Sequence, residues 1–175
     1  RDVVVVLTGV NDAAVIGGDA AGAVTEDAAT PTLSDSGTLT VCDADTGEAR
    51  FQTTGISASP GALGALSITS AGAWTYTVAN ADLQYLKAGE TRTETFTVQS
   101  SDGTARDVVV VLTGVNDAAV IGGDAAGAVT EDAATPTLSD SGTLTVSDAD
   151  TGQARFQTTG ISASPGALGA LSITS

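Results

Sequence analysis

Histidine is absent from this chain of 175 residues, and cysteine occurs once, as Cys42. A cysteine-rich zinc site and an internal disulfide framework are therefore excluded. Without histidine, Cys42 and the serines lack the usual base that would activate them as nucleophiles. Paired carboxylates can hydrolyse glycosides, but acidic pairs that recur in identical copies along a chain would be an unusual active site. We therefore expect that the protein is not an enzyme.

Positive charge is scarce, because six lysines and arginines stand against 21 aspartates and glutamates. The net charge is −15 and the isoelectric point is near 4.1. Such a chain repels phosphate backbones and anionic lipid headgroups. No apolar run approaches the roughly 20 residues that a membrane-spanning helix needs. We therefore expect neither a nucleic-acid partner nor direct insertion into a membrane. The surplus of carboxylates suggests bound hard cations, a salty milieu or simply solubility.

Aromatic residues are also few: three Phe, two Tyr and one Trp, in a hydrophobic fraction made mostly of Ala and Val. A domain of this composition can build only a thin core. Trp74, Tyr76 and Val78 alternate with smaller or polar residues, which is the period of a half-buried strand, and the segment around Phe96 alternates in the same way. We expect Trp74 to be buried between two sheets, near Phe96, Leu39 and Tyr76.

Further short runs with turn signals between them complete a set of seven predicted strands. The continuous apolar run 108–112 is typical of a strand covered on both sides, and residues 80–87 suggest one helical turn. Seven short strands in a domain of this size indicate an all-β protein of Ig-like Greek-key β-sandwiches. The strands are predicted at residues 21–25 (A), 37–42 (B), 50–56 (C), 65–70 (D), 74–78 (E), 94–100 (F) and 106–113 (G).

The chain repeats itself with a period of 105 residues. Residues 1–70 recur as residues 106–175 with two differences, Cys42 against Ser147 and Glu48 against Gln153. A period of this length is a small domain rather than one turn of a solenoid. Near-identical copies favour a protein whose function depends on the length and the geometry of an array of modules. We predict that residues 1–12 are the last strand and linker of a preceding module, that 13–117 form a complete module and that 118–175 are the first part of a following, truncated one.

Acidic residues concentrate in the loops that an Ig-like topology brings to the two ends of the sandwich. The loops after strand B and before strand G lie at the end where the chain enters, and the segment after strand A lies at the end where it leaves. We therefore expect two acidic loop ends and an Asn-Asp linker to converge at each joint. The candidate metal ligands are Asp43, Asp45 and Asp102 with Asn11 and Asp12 where the chain enters; Glu26 and Asp27 with Asn116 and Asp117 where it leaves; and, facing Glu26 and Asp27, the next module's Asp148 and Asp150.

Carboxylates crowded within a few ångströms repel one another unless a cation neutralises them. Oxygen ligands without histidine or cysteine select a hard cation of flexible coordination, which means Ca²⁺ before Mg²⁺. The Asp-x-Asp spacing of Asp43 and Asp45 lets two carboxylates of one loop bind one ion, although a solvated turn explains such a pair about as often. Their expected position beside the linker favours calcium. The remaining acids considered, Asp19, Asp35, Asp82, Glu90 and Glu94, are interpreted as solvated surface or turn residues.

Several short motifs occur in a fixed order along the chain: Gly37-Thr-Leu-Thr-Val41, Asp43-Ala-Asp45, Gly72-x-Trp74-x-Tyr76, Leu86-x-x-Gly89-Glu90, Phe96-x-Val98, Asp102-Gly103 and Thr113-Gly-Val-Asn-Asp117. In this order they resemble the VCBS repeat. That family consists of cadherin-like or Ig-like modules in very large bacterial surface adhesins of the RTX type, which are exported by type I secretion.

The resemblance implies a stacked extender region with Ca²⁺ at or near the joints. It also implies that the protein is secreted by, or lies on the surface of, a Gram-negative bacterium, with neighbouring modules of the same chain as partners. Glu26 and its copy Glu131 resemble the acid that cadherin-like modules place early in the domain to reach the joint. The ligand role carries over to Asp43, Asp45, Asp102, Asn116 and Asp117 and to the copies Asn11, Asp12, Asp148 and Asp150.

Two classes of function other than catalysis remain open. The first is the calcium-dependent extender of a cell-surface adhesin, acting in adhesion or biofilm formation without a small-molecule substrate. The second is a ligand-binding module for a sugar, ice or a host protein. A sugar site usually needs exposed aromatic residues, and the strand pattern explains Trp74 and Tyr76 better as core. The extender is therefore the favoured interpretation.

Overall fold

The computed structural model describes residues 1–26, 30–131, 134 and 136–175, which divide into two compact units, Arg1–Val115 and Asn116–Ser175. We call them the first and the second unit. The first contains β1 (Val15–Gly18), β2 (Ala21–Thr25), β3 (Thr32–Cys42), β4 (Ser57–Ala58), β5 (Ala65–Ile68), β6 (Ala73–Ala79), a 3₁₀ turn (Asn80–Asp82), β7 (Thr91–Gln99) and β8 (Ala105–Thr113). The second contains β9 (Val120–Gly123) and β10 (Leu144–Ser147).

Two four-stranded sheets make up the first unit. One has the order β1-β3-β6-β5 and is antiparallel throughout. The other has the order β2-β8-β7-β4, in which β2 pairs with β8 in parallel and the remaining pairs are antiparallel. The first strand region is therefore split, since β1 belongs to one sheet and β2 to the other. The prediction of an all-β protein with an Ig-like β-sandwich is confirmed.

The core lies between these two sheets and contains the buried residues of one hydrophobic cluster. On β6, residues alternate strictly between exposed and buried, and Trp74 is 1% exposed. Trp74 belongs to one buried cluster with Tyr76, Phe96 and Leu39, which confirms its predicted position. Its indole N–H donates to the backbone oxygen of Asp19 at 2.7 Å. The ring lies directly over Gly37, where a Cβ would come within 2.5 Å of it.

Two strand predictions were wrong in detail. β8 is buried on one face only, because Val108 and Val110 are inaccessible while Val109 between them is 37% exposed. The apolar run therefore does not mark a strand that is covered on both sides. Strand C is irregular over most of its predicted span: Phe51 forms an isolated bridge with Ser100, and regular pairing follows only in β4. Phe51 nevertheless packs into the core, with 3% exposure.

The second unit repeats the first part of this pattern. β9 pairs antiparallel with β10, in the same register as the equivalent residues of β1 and β3. A cavity of about 540 Å³ is lined by Gly127, Gly142, Leu144 and Phe156, among others. Gly127 and Gly142 are the copies of Gly22 and Gly37, on which Trp74 packs in the first unit.

Candidate metal centre

The loop that follows β3 folds its carboxylates toward one another. The backbone N–H of Asp45 donates to Oδ1 of Asp43 at 2.8 Å, a local turn typical of aspartate. The chain turns again at Gly47, whose φ of +86° suits glycine, and the N–H of Glu48 donates to the backbone oxygen of Asp45 at 3.2 Å. Asp43, Asp45 and Glu48 thereby offer carboxylate oxygens that all lie within 4.8 Å of one another. We call residues 43–48 the first acidic loop.

One buried oxygen of this loop lacks a hydrogen-bond partner among the described residues. Oδ2 of Asp43 is buried, and nothing in the described part of the chain donates to it. Leaving a buried carboxylate oxygen without a partner is costly, and three carboxylates at this separation repel one another. The donor set is made of oxygen alone, so a hard divalent cation would satisfy the orphaned oxygen and neutralise the repulsion.

The first acidic loop also holds the segment through which the chain enters the sandwich. Oδ2 of Asp45 accepts the backbone N–H of Asp12 at 2.7 Å. Two residues further on, the N–H of Ala14 donates to Oδ2 of Asp102 at 2.9 Å. The amide of Asn11 donates to the backbone oxygen of Asp12 at 3.1 Å, so this side chain shapes the linker itself. The structure thus brings Asp12, Asp45 and Asp102 to the same end of the unit.

Asp102 is surrounded by donors from its own turn. Its carboxylate accepts the Ser100 hydroxyl, the Thr104 hydroxyl at 2.8 Å and the Thr104 N–H at 3.1 Å. These bonds hold the pKa of Asp102 well below its usual range, with the largest effect from the Ser100 hydroxyl and the next from the N–H of Ala14. Asp102 lies outside the group of three acids described above, and its hydrogen bonds connect its own turn to the entering segment.

The second unit reproduces the loop. The N–H of Asp150 donates to Oδ1 of Asp148 at 2.9 Å, and Oδ2 of Asp150 accepts the N–H of Asp117 at 3.1 Å. Asp150 is 1% exposed, and within the described residues its Oδ1 and the buried Oδ2 of Asp117 have no hydrogen-bond partner. The amide of Asn116 donates to the backbone oxygen of Asp117 at 2.7 Å, as in the first linker. We call residues 148–153 the second acidic loop.

The predicted acids after strand A have different surroundings. Glu26 is 5% exposed and accepts the N–H of Val115 at 2.9 Å and the amide of Gln84 at 2.5 Å. In the first unit it therefore fastens the end of β8 to the end of β2. Glu131 is exposed, and Asp27 lies outside the described residues.

Sequence reasoning missed Glu48, which completes the group of three acids. The signal that could have found it is its position three residues beyond Asp45, within reach of the same loop. Glu48 is moreover one of the only two positions at which the copies differ, since Gln153 replaces it in the second acidic loop. Glu94, interpreted as a surface acid, is instead buried at 1% exposure, where it bonds to other segments of the core.

Comparison with known proteins agrees with this architecture. Residues 11–114 match the family described as the bacterial cadherin-like domain, which covers more than half of the chain. A comparison with curated proteins gave no match. In the described part of the chain, no helix has the length and apolar character needed to cross a membrane. Cadherin-like domains are structural and adhesive modules of extracellular or surface proteins. The chain belongs to the bacterial cadherin-like domain family.

Proposed function

We propose that the chain is a calcium-stiffened extender repeat of a large bacterial cell-surface adhesin. It projects a distal ligand-binding region away from the cell for adhesion or biofilm formation. In this proposal the repeat is a VCBS-type module of an RTX adhesin that is secreted or held on the surface of a Gram-negative bacterium. Its partners are neighbouring modules of the same chain, and it takes no small-molecule substrate.

One observation carries the calcium part of this proposal. In each acidic loop, one aspartate accepts the linker N–H: Asp45 in the first loop and Asp150 in the second. Beside each linker lie buried carboxylate oxygens that have no partner among the described residues, on Asp43 in the first case and on Asp150 and Asp117 in the second. A buried carboxylate oxygen in such a position is expected to have a ligand. Cadherin-like domains generally bind calcium, and the donors here suit it.

Calcium at this position would act on the linker rather than on the core. In the first unit, Asp43, Asp45 and Glu48 would hold the ion, while Asp45 also accepts the linker N–H. Neutralising the three carboxylates removes their repulsion and fixes the loop, and with it the direction in which the chain enters the sandwich. Asn11, Asp12 and Asp102, the copies Asn116, Asp117, Asp148 and Asp150, and the acids Glu26, Asp27 and Glu131 are assigned to the same calcium-dependent joints.

The extender role is supported by the repeat and by the burial of the aromatic residues. Two stretches of seventy residues that differ at two positions fit an array of equivalent spacers. Trp74 and Tyr76 are 1% and 0% exposed. They cannot provide the exposed aromatic surface that a sugar-binding module usually needs, so the ligand-binding alternative gains no support.

Thermal unfolding of the chain tests the calcium assignment. Extracellular calcium modules bind with a Kd of roughly 10⁻⁴–10⁻³ M, so several millimolar Ca²⁺ stabilises each site by about 1–2 kcal/mol. We expect the Tm of the first unit to rise by about 5–10 °C in Ca²⁺, to rise much less in Mg²⁺ and to return to its starting value with chelator. Asp43→Asn combined with Asp45→Asn should abolish the rise, whereas Glu90→Gln, an exposed acid, should preserve it.

Small-angle X-ray scattering tests the stiffening. In calcium the maximum dimension of the chain should exceed that in chelator, while Trp74 fluorescence shows that the first unit stays folded. A Tm that does not respond to calcium would refute the metal site. A maximum dimension that is equal in calcium and in chelator would refute calcium as the stiffening device.

A further inference from the structure

We infer that the two acidic loops bind calcium with different affinities, and that residues 48 and 153 set the difference. This inference rests on the proposed calcium site and goes beyond it, because it makes neighbouring copies of one repeat unequal. Glu48 would be a metal ligand of the first loop. Gln153, its counterpart, would leave the second loop a weaker site.

The backbone hydrogen bonds of the two loops match, so the difference at this position lies in the side chain. The N–H of Glu48 donates to Asp45 O at 3.2 Å, and the N–H of Gln153 donates to Asp150 O at 3.2 Å. The following turn also agrees: Arg50 N to Glu48 O is 2.6 Å, and Arg155 N to Gln153 O is 2.7 Å. Position 153 therefore reaches the second loop just as position 48 reaches the first.

In the first loop, Glu48 contributes a third carboxylate oxygen within 4.8 Å of those of Asp43 and Asp45. The buried Oδ2 of Asp43 is left without a donor in the described part of the chain, so it is free to meet an ion. Three negative charges and an available buried oxygen make this the stronger site, since affinity for calcium rises with the charge of the ligands.

In the second loop, Gln153 is neutral where Glu48 is charged, and its side-chain amide forms a hydrogen bond with an aspartate. Its Nε2 donates to Oδ2 of Asp150 at 3.1 Å, on the oxygen that also accepts the N–H of Asp117. Asp150 is 1% exposed, and its Oδ1 remains without a partner among the described residues, which still marks a place for a cation. The buried Oδ2 of Asp117 in the linker is also unpartnered among the described residues, so the second loop keeps a site. The loop itself, however, supplies two aspartates and a neutral amide, with a competing hydrogen bond on one of the aspartates.

The other position that differs between the copies does not share this geometry. Cys42 is the last residue of β3, its side chain is exposed, and it lies outside the group of three acids. Of the two changes between the copies, the one at position 48 is therefore the one that alters the site. A chain built this way would fix its linkers one after another as calcium rises, the first acidic loop before the second.

Calorimetric titration of the whole chain with CaCl₂ tests the inference, with each comparison made between two forms of the same loop. We expect two classes of site. Glu48→Gln should weaken the tighter class by about tenfold, and Gln153→Glu should strengthen the weaker class by about tenfold. Glu90→Gln removes an exposed charge whose carboxylate accepts the N–H of Lys87 in its own turn, so both classes should keep their affinities. Asp43→Asn with Asp45→Asn should delete the tighter class and so assign it to the first loop.

The outcomes separate the inference from the function on which it rests. If calcium binds but neither Glu48→Gln nor Gln153→Glu changes an affinity by more than twofold, the inference is wrong and the calcium site stands. If no calcium binds even at tens of millimolar, both are wrong. Trp74 fluorescence in chelator, compared between the original chain and Glu48→Gln, checks that a weakened site does not reflect an unfolded first unit.

Discussion

Glu94 is a buried carboxylate that joins three separate segments of the first unit. Its Oε1 accepts the N–H of Leu63 at 2.6 Å, and its Oε2 accepts the N–H of Gly64 at 3.2 Å and the hydroxyl of Tyr76 at 2.9 Å. Arg92 forms an ion pair with Glu94, with 3.6 Å between Nε of Arg92 and Oε1 of Glu94. Glu94 is on β7 and Tyr76 on β6, so this carboxylate ties one sheet to the other. Burial, together with the hydrogen bond to Glu94, raises the pKa of Tyr76, which therefore remains protonated and continues to donate.

We expect Glu94→Ala to lower the free energy of unfolding of the first unit by about 3–5 kcal/mol. The change removes the acceptor of three donors, and each buried donor left unsatisfied costs about 1–3 kcal/mol. Local rearrangement keeps the total below the full sum. Tyr76→Phe removes one of these donors and should cost about 1–2 kcal/mol. Glu94→Gln keeps one accepting oxygen and replaces the other with an NH2 group, which cannot accept a hydrogen bond. The cost of this substitution should therefore fall between these two values.

Urea unfolding followed by Trp74 fluorescence measures this cost. Trp74 is the only tryptophan of the chain, so the signal reports the first unit alone. Glu90→Gln provides the control, because an exposed substitution away from such contacts changes stability by less than about 0.5 kcal/mol. If Glu94→Ala unfolds within about 1 kcal/mol of the original chain at an unchanged m value, Glu94 does not tie the sheets together and the reasoning fails.

Three further predictions follow from the core and from the turns. Trp74→Ala should cost about 3–5 kcal/mol in chemical unfolding followed by circular dichroism, and a solvated emission spectrum of Trp74 in the folded chain would contradict its burial. Gly72→Ala should destabilise by well over 1 kcal/mol, because its φ is +94° and a Cβ would meet the backbone oxygen of Leu39; Gly89→Ala, with φ of +73° and open space, should cost only about 1 kcal/mol. The pKa of Asp102 is lowered in the folded state, so its contribution to stability is complete above its unfolded pKa of about 4 and declines as the pH falls below that value. Asp102→Asn should therefore flatten the acid limb of a plot of Tm against pH, and an unchanged limb would show that Asp102 does not cause it.

The sandwich was predictable because its strands carry their own pattern. The alternation around Trp74 and Phe96 fixes which faces are buried, and the structure places both in one core. The acidic loop was predictable for a similar reason, because Asp43 and Asp45 lie directly at the end of β3 and are joined by a local hydrogen bond. Features that depend on neighbours in sequence are visible in the sequence.

The misassigned features depend on residues far apart along the chain. Glu94 sits among threonines in a strand, and the partners that make its burial possible are 31, 30 and 18 residues away. Phe51 likewise forms an isolated bridge to Ser100 and donates its N–H to the backbone oxygen of Ser70, so the segment around it packs without becoming a regular strand. No local hydrophobic period indicates such contacts. Glu48 differs from these two, because it lies only three residues beyond Asp45 and the turn at Gly47 brings it back to the two aspartates.

Tension along the chain would load the parallel pair of β2 and β8 differently from an antiparallel pair. These strands are paired at five positions, from Ala21 opposite Val109 to Thr25 opposite Thr113, with β2 near the start of the sandwich and β8 at its end. Pulling the start and the end of the sandwich apart draws two parallel strands past each other lengthwise, so all their hydrogen bonds bear the force together. Antiparallel strands pulled from neighbouring ends separate one bond at a time, as β1 would from β3. A sandwich stretched from its two ends would therefore lose β1 first and stay closed through the pair of β2 and β8.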